Sequence, residues 1–331
     1  MRKSVLLYLC VVVLLIFTSS FSIKKPNLQS LIEETLEKYA SVDQGKNADY
    51  IPYLAEINPN LFAISIVDLK GNLFSTGDSD FEFGIESISK VMLFSLALEQ
   101  NDAKTIERLI GVDATGQPFN SVLALETIPS RTVNPFVNAG AIATNSIILG
   151  SQGRTKDQTI DAYMEDFCGR RLSIIEELFL SEMKTNQHNV GISVLLESYN
   201  RMYADPYEST RSYTRQCSYA ITSNDLAIMA AVLANNGINP VTGKRVLKPE
   251  NVTKVLAVMA TAGLYDTSGE WLYYVGLPAK SGVGGGIMAV APGKYGIAVF
   301  SPPLDKAGNS VKAQMVIKDL SEKLNLNVFK P

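Results

Sequence analysis

The sequence predicts an α+β fold built on one antiparallel sheet, with strands supplied by both ends of the chain, flanking helices, and a helical subdomain inserted between. Three observations predict it. β-rich segments gather near residues 61–74 and return at 272–300, and the stretch from Lys90 to about Ala262 is mainly helical in its periodicity. No linker, internal repeat or low-complexity tract divides the chain, so the two sets of strands are expected to meet in a single sheet. At 331 residues the chain can bury a large core, near the length at which cores begin to divide. One catalytic unit over residues 23–331, with the helical subdomain at roughly 100–260, is therefore expected.

The elements follow in chain order. Arg2 and Lys3, an apolar stretch from Val5 to Phe17, and the small residues before Ser22 read as a secretory signal peptide over 1–22, hence a periplasmic or secreted protein. An uncleaved membrane anchor is the competing reading, although the apolar stretch falls short of the roughly 20 residues that a span prefers. Leu28, Leu31, Ile32, Leu36 and Tyr39 share a helix face, which predicts a helix over Leu28 to Tyr39. Leu61 to Val67 is β-rich, Lys70-Gly71-Asn72 is a turn signal, and Leu73-Phe74 continues beyond it, so a hairpin is predicted. Val91 to Leu98 is too apolar for a surface helix and reads as a core element. A helix is expected over Asp225 to Asn235, and strands over Leu272 to Val275, Ile287 to Ala291 and Tyr295 to Phe300. A last helix covers Ser310 to Leu324.

Composition narrows the chemistry. The chain has one histidine, His188, and three cysteines, Cys10, Cys168 and Cys217. That nearly removes Ser-His-Asp, Cys-His and zinc catalysis, and no cofactor or metal is expected, although a carboxylate-only magnesium site stays open. His188, among polar neighbours, reads as a surface or packing residue. Cys168 and Cys217 read as unpaired core thiols, with a disulfide the alternative. The formal charge of −3 becomes −5 once Arg2 and Lys3 are gone, and the longest basic cluster is Arg170-Arg171, so nucleic acid is not a partner.

A serine paired with a lysine is the remaining engine. Ser-x-x-Lys occurs three times, at Ser22–Lys25, Ser87–Lys90 and Ser181–Lys184, and only Ser87 leads into a buried-looking helix. Placed at that helix's N-terminal end, Ser87 would share a face with Lys90, beside backbone N–H groups that favour a developing anion. Lys90 can accept the serine proton only as the neutral amine, which asks for a pKa about 3 units below its reference value. Late in the chain, Lys280-Ser-Gly-Val-Gly-Gly-Gly286 offers a Gly-rich strand edge, whose Val283 N–H could join that of Ser87 as an oxyanion hole. Taken alone, that run could simply bend an edge strand. An early Ser-x-x-Lys with a late Lys-Ser-Gly is the layout of penicilloyl-type serine enzymes.

The surrounding segments choose among such families. Tyr50-Ile-Pro52, Ser75-Thr-Gly-Asp78, Ser87-Ile-Ser-Lys90, Asn134 to Ala141, Ser181-Glu182 with Asn189, Gln216-Cys-Ser218, Leu264-Tyr-Asp266, Leu277 to Val283 and Ser301 to Lys306 resemble, in order, the serine-dependent glutaminases. The resemblance runs from about Tyr50 to about Lys312. It implies a β-lactamase-like fold, hydrolysis of L-glutamine to L-glutamate and ammonia, and a homo-oligomer, dimer or tetramer. It also implies Ser87 as nucleophile, Lys90 as its base, Tyr265 and the Val283 amide as further catalytic groups, and substrate contacts at Tyr50, Asn138, Glu182, Asn189, Tyr213 and Tyr265. The types suit an amino-acid substrate: Glu182 can neutralise an α-ammonium, while Asn138, Asn189 and a tyrosine hydroxyl can donate to an α-carboxylate. Two positions depart from the family pattern. Glu86 stands where glutamine often precedes the nucleophile, and His188 stands where arginine often precedes Asn189. A carboxylate at 86 would oppose lowering the Lys90 pKa unless it turns away or binds the α-amine.

The leading expectation is thus a glutaminase acting through a Ser87 acyl-enzyme, with L-glutamine as its partner and no membrane association after signal cleavage. Two alternatives remain at this point. One is a β-lactamase or penicillin-binding enzyme, although Ser223-Asn-Asp225 reads better as a helix cap than as that class's middle motif. The other is a non-catalytic envelope receptor for an amino acid.

Overall fold

Why the ends of the chain meet is visible in the strands themselves. The computed structural model describes residues 27–330, so the predicted signal peptide and the Ser22–Lys25 match lie outside the described residues. β1 (Ala63–Asp68), β2 (Leu73–Gly77), β5 (Ala279–Ser281), β6 (Gly286–Ala291) and β7 (Tyr295–Phe300) form one antiparallel sheet in the order β2-β1-β7-β6-β5. β1 pairs with β7 from Ala63↔Phe300 to Asp68↔Tyr295, joining the N-terminal hairpin to the C-terminal meander. β3 (Phe83–Gly84) and β4 (Ala220–Ile221) make a separate two-stranded pair.

Alternation along the central strands buries both faces of the sheet. Ile64, Ile66, Ile287, Ala289, Ile297 and Val299 belong to one cluster, with Leu31 and Ile32 of α1 (Leu28–Tyr39) and with Ile317 and Leu320 of the C-terminal helix Val311–Lys323. Val67, Met288, Val290, Ala298 and Phe300 belong to the opposite cluster, which continues without a break through the helical half of the molecule. The expected helical subdomain therefore shares its core with the sheet. Gly296 permits a close approach of helix and sheet: a Cβ there would lie 2.2 Å from Ala231 N and 2.3 Å from Ala227 O of the Ala-rich helix Ser223–Ala234.

The helix over Leu28–Tyr39, the first hairpin, and the strand Tyr295–Phe300 are where the sequence predicts them. One segment differs. Leu272 to Val275 is helical, inside Ser268–Val275, and not a strand. Its aromatic and β-branched residues favour a strand, but Trp271 and Val275 are buried one helical turn apart and Gly276, at φ 68°, stops the helix in a left-handed cap. The cap near residue 223 also shifts: Thr222 is the N-cap, in a capping box with Asp225. Asp225 further receives Arg170, Nε to Oδ1 at 2.9 Å and Nη2 to Oδ2 at 2.6 Å, so this motif is occupied structurally. Cys168 and Cys217 are buried free thiols, as expected.

Candidate active site

The nucleophile candidate sits in a strained turn. β3 ends at Gly84, the Ile85 N–H donates to Tyr219 O at 3.0 Å, and Glu86 then takes a left-handed backbone with φ 52°. A 3-10 turn over Glu86–Ile88 follows, and the α-helix α2 begins only at Ser89, running to Gln100. Ser87 thus stands at the N-terminal end of that helix, as expected, in the 3-10 turn directly ahead of it. Ser89 Oγ fastens the turn by donating to Glu86 O at 2.7 Å. Ser87 is 6% exposed and Lys90 1%.

Lys90 is held for proton transfer. Its Nζ donates to Asn138 Oδ1 at 2.7 Å and to Phe136 O at 3.3 Å. A neutral amine has two N–H bonds and one lone pair, so these two acceptors use both hydrogens and leave the lone pair for another proton. Burial lowers the Lys90 pKa to about 8 against the upward pull of Cys217, Glu86 and Glu182. The Glu86 carboxylate resists that depression, as expected, without overcoming it.

Asn138 is the hub that joins the separate segments. It begins the helix Asn138–Ile147, and its Oδ1 also accepts from Tyr213 OH at 3.1 Å, while its Nδ2 donates to Asn189 Oδ1 at 3.0 Å. Gly140 lets that helix start against the preceding turn, because a Cβ there would lie 1.9 Å from Asn134 O. The donors on Lys90 and Tyr213 fix the Asn138 amide, and Asn189 keeps its own NH₂ for an incoming acceptor.

The Gly-rich run does more than bend a strand edge. A Cβ at Gly282 would meet Ile85 O at 2.9 Å, and one at Gly284 would meet Gly84 O at 2.6 Å, so this loop lies directly on the Ser87 turn. Gly282 N–H donates to Gly286 O and Gly285 N–H to Gly282 O, both at 3.0 Å. Neither the Val283 N–H nor the Ser87 N–H has an acceptor among the described residues, leaving both available to an oxyanion. Tyr265, at φ 55°, donates from its hydroxyl to Ser281 O at 3.2 Å and lies against Ser87. Burial pushes its pKa up, so the phenol keeps its proton at neutral pH.

A family model for glutaminases matches residues 45–329. The chain is 50% identical over 306 residues to the glutaminase of Colwellia psychrerythraea, covering 92% of this chain and 98% of that protein, and 48% identical to that of Parabacteroides distasonis over 91% and 94%. The chain belongs to the glutaminase family. Among solved structures, a probable glutaminase, YbaS, superposes with a TM-score of 0.89 at 46% identity, covering 92% of this chain and 98% of that one. A probable glutaminase from Bacillus subtilis, solved with 6-diazo-5-oxo-L-norleucine, gives 0.83 at 30% identity over 93% and 99%. The β-lactamase-like α+β architecture is that of the family.

In this glutaminase the remaining site residues gather around Glu86 and Glu182. Glu182, on the helix Glu176–Thr185, has a buried Oε1, and burial raises its pKa while a hydrogen bond with Glu86 and the charge of Lys90 lower it. Glu86 does not turn away: it is 3% exposed and faces Glu182. The glutaminase's Tyr213 is 3% exposed and Tyr50 54%, yet the Tyr50 hydroxyl end is pushed up by burial, with Tyr265, Glu86 and Glu182 adding to the effect. Tyr50 also borders an outer cleft of about 570 Å³ shared with Phe119, Asp305, Lys306 and Gly308, which contains neither Ser87 nor Lys90.

His188 lies outside this group, exposed, with Nε2 2.7 Å from Asn120 O. Lys184, of the third Ser-x-x-Lys match, is likewise exposed. Two contributors carried no assigned role in the sequence. Lys280 is fully buried, donates to Ser281 O at 2.6 Å and lies 4.4 Å from the Tyr265 ring centroid, and Phe119 packs 4.7 Å from that ring. The Lys-Ser-Gly spacing could have pointed to Lys280; nothing in the sequence points to Phe119.

Proposed function

We propose that this glutaminase hydrolyses L-glutamine through an acyl-enzyme on Ser87, with Lys90 as the base. The observation that carries the assignment is the buried Lys90 amine, whose two acceptors, Asn138 Oδ1 and Phe136 O, would use both hydrogens of its neutral form and leave the lone pair. Ser87 Oγ attacks the side-chain amide carbon as its proton passes to Lys90 Nζ, and the carbonyl oxygen takes up the charge between the Ser87 and Val283 amides. Collapse of the tetrahedral intermediate breaks the C–N bond, and nitrogen leaves as ammonia with a proton supplied from Lys90 by way of the Tyr265 hydroxyl. Tyr265 suits that step better than Tyr213, because Tyr265 lies against Ser87 while the Tyr213 hydroxyl is bonded to Asn138. Water then attacks the ester, returning its proton to Ser87 and releasing glutamate.

Asn138 and Asn189 have N–H groups to offer the substrate's α-carboxylate, and Glu182 has a free buried oxygen for the α-ammonium. The Bacillus subtilis relative was solved with a glutamine-shaped diazoketone, which supports glutamine as the substrate here. The test is ammonia release from glutamine by wild type and Ser87→Ala. Activity should fall at least about 10⁴-fold in the variant; undiminished turnover would sink the assignment. The periplasmic or secreted address and the homo-oligomer rest on the sequence, and N-terminal sequencing of the expressed protein and sedimentation of the purified chain test them.

A further inference from the structure

The amine end of the pocket holds one more carboxyl group than the contacts above use. Glu86 is 3% exposed and its Oε1 has no hydrogen-bond partner among the described residues. The Glu182 Oε1 opposite is also buried and unpartnered, and the two side chains bring ligand atoms within 4.8 Å of one another and of Cys217 Sγ. Glu86 points inward through a left-handed backbone, φ 52°, that a side chain of its kind rarely adopts. Its stem lies against the Gly-rich loop: a Cβ at Gly282 would be 3.3 Å from Glu86 Cβ, and one at Gly284 3.2 Å from its Cγ.

We propose that Glu86 and Glu182 work as one hydrogen-bonded acid pair that receives the substrate's α-ammonium, with Glu86 adding a second acceptor oxygen beside that of Glu182. Two adjacent buried carboxylates cannot both ionise without strong repulsion, whereas a pair that retains one proton carries a single negative charge, matching one ammonium. Burial first, and then the charge and hydrogen bond of Glu182, raise the Glu86 carboxyl well above its ordinary range. The other groups facing the pair are Lys90 from α2, Tyr213 and Cys217 from the helix Pro206–Cys217, Tyr265, and Tyr50. Burial keeps the three tyrosines and the thiol protonated, so the pair supplies the anionic charge, and Cys217 does not offer the thiolate that would make this a metal site. The inference deepens the proposed mechanism and rests on Glu182 as the amine contact.

The test compares L-glutamine with 4-carbamoylbutanoate, which is glutamine without its α-amine. In Glu86→Met, KM for glutamine should rise about tenfold or more, the loss of one hydrogen bond to a charged group, while kcat stays within about threefold. The same variant should change kcat/KM for the deaminated analogue several-fold less than for glutamine, and Glu86→Gln, which keeps the shape with one donor and one acceptor, should recover most of the lost affinity. An unchanged KM for glutamine in Glu86→Met, or equal losses on both substrates, would overturn the proposal. If Glu86→Met does not fold, infrared difference spectra of the wild type with and without L-glutamate should show a protonated carboxyl band that is absent from Glu86→Gln; no such band overturns the pair. An unchanged glutamine KM in Glu182→Gln would instead bring down the reading of Glu182 itself, whatever Glu86 does.

Discussion

Replacing Asn138 by aspartate tests the base directly, because the new carboxylate would lie where Lys90 Nζ now meets Asn138 Oδ1 at 2.7 Å. With the Lys90 pKa at about 8, roughly one amine in ten is neutral at pH 7. An opposite charge at such a distance raises a pKa by about 1–3 units, placing Lys90 at about 9–11 in Asn138→Asp. The neutral fraction at pH 7 then falls about 10- to 1,000-fold, and the rising limb of kcat/KM moves to higher pH by the same 1–3 units. Tyr213 can still donate to the new carboxylate, and Asn189 can turn its amide to do so, so the hub should survive. Repulsion of the substrate's α-carboxylate lowers the whole profile but does not move its limb. The assay is ammonia release from glutamine between pH 6 and 10. A wild-type limb far from pH 8, or a limb that Asn138→Asp leaves in place, would refute Lys90 as the base.

Tyr265→Phe should cut kcat by about 10²–10³-fold with little change in KM, which steady-state kinetics reads, because the lost hydroxyl serves the departing nitrogen. Lys90→Met should abolish hydrolysis yet stabilise the fold by up to about 3 kcal/mol at pH 7, since the native state now depresses a buried amine from 10.5 to about 8. The sign follows from proton uptake: the unfolded chain binds the extra proton between pH 8 and 10.5, so the gain, read by denaturant melts, should be full below pH 8 and fade towards 10.5. Gly284→Ala would put a methyl carbon 2.6 Å from Gly84 O, and should cost roughly 1–3 kcal/mol in thermal or denaturant melts while lowering activity through the displaced Ser87 turn.

What could be read from the sequence divides along physical lines. The helix Leu28–Tyr39 is periodic over its whole length, the strand Tyr295–Phe300 reads as a short apolar, β-rich run, and the buried apolar helix after Ser87 announces itself by composition. Ser268–Val275 does not, because Tyr273, Tyr274 and Val275 favour a strand locally while the packing of Trp271 and Val275 selects a helix. The two-residue strands β3 and β4 are too short for any periodicity to mark, although they deliver the Ser87 turn. The site was legible as an ordered series of segments, and Ser87 with Lys90 also as a local spacing. The hub at Asn138 was not, because its three bonds reach residues 90, 189 and 213 on different helices. Nor was the orientation of Glu86, which one backbone angle decides.

The pairing of Ala63 with Phe300 has a consequence for how the enzyme comes into being. During synthesis the first hairpin emerges early and waits with one apolar edge unpaired, since β7 belongs to the last part of the chain to appear. Closing so long a loop is slow, and it comes before the proposed oxyanion hole can form, because Ser87 arrives with the early segments and Val283 with the late ones. By the proposed mechanism a nascent or C-terminally truncated chain should therefore lack turnover, with catalytic competence appearing in the same event that seals the sheet. The interval before closure leaves the β1 edge open to aggregation, and a holdase that covers it should raise the yield of active enzyme.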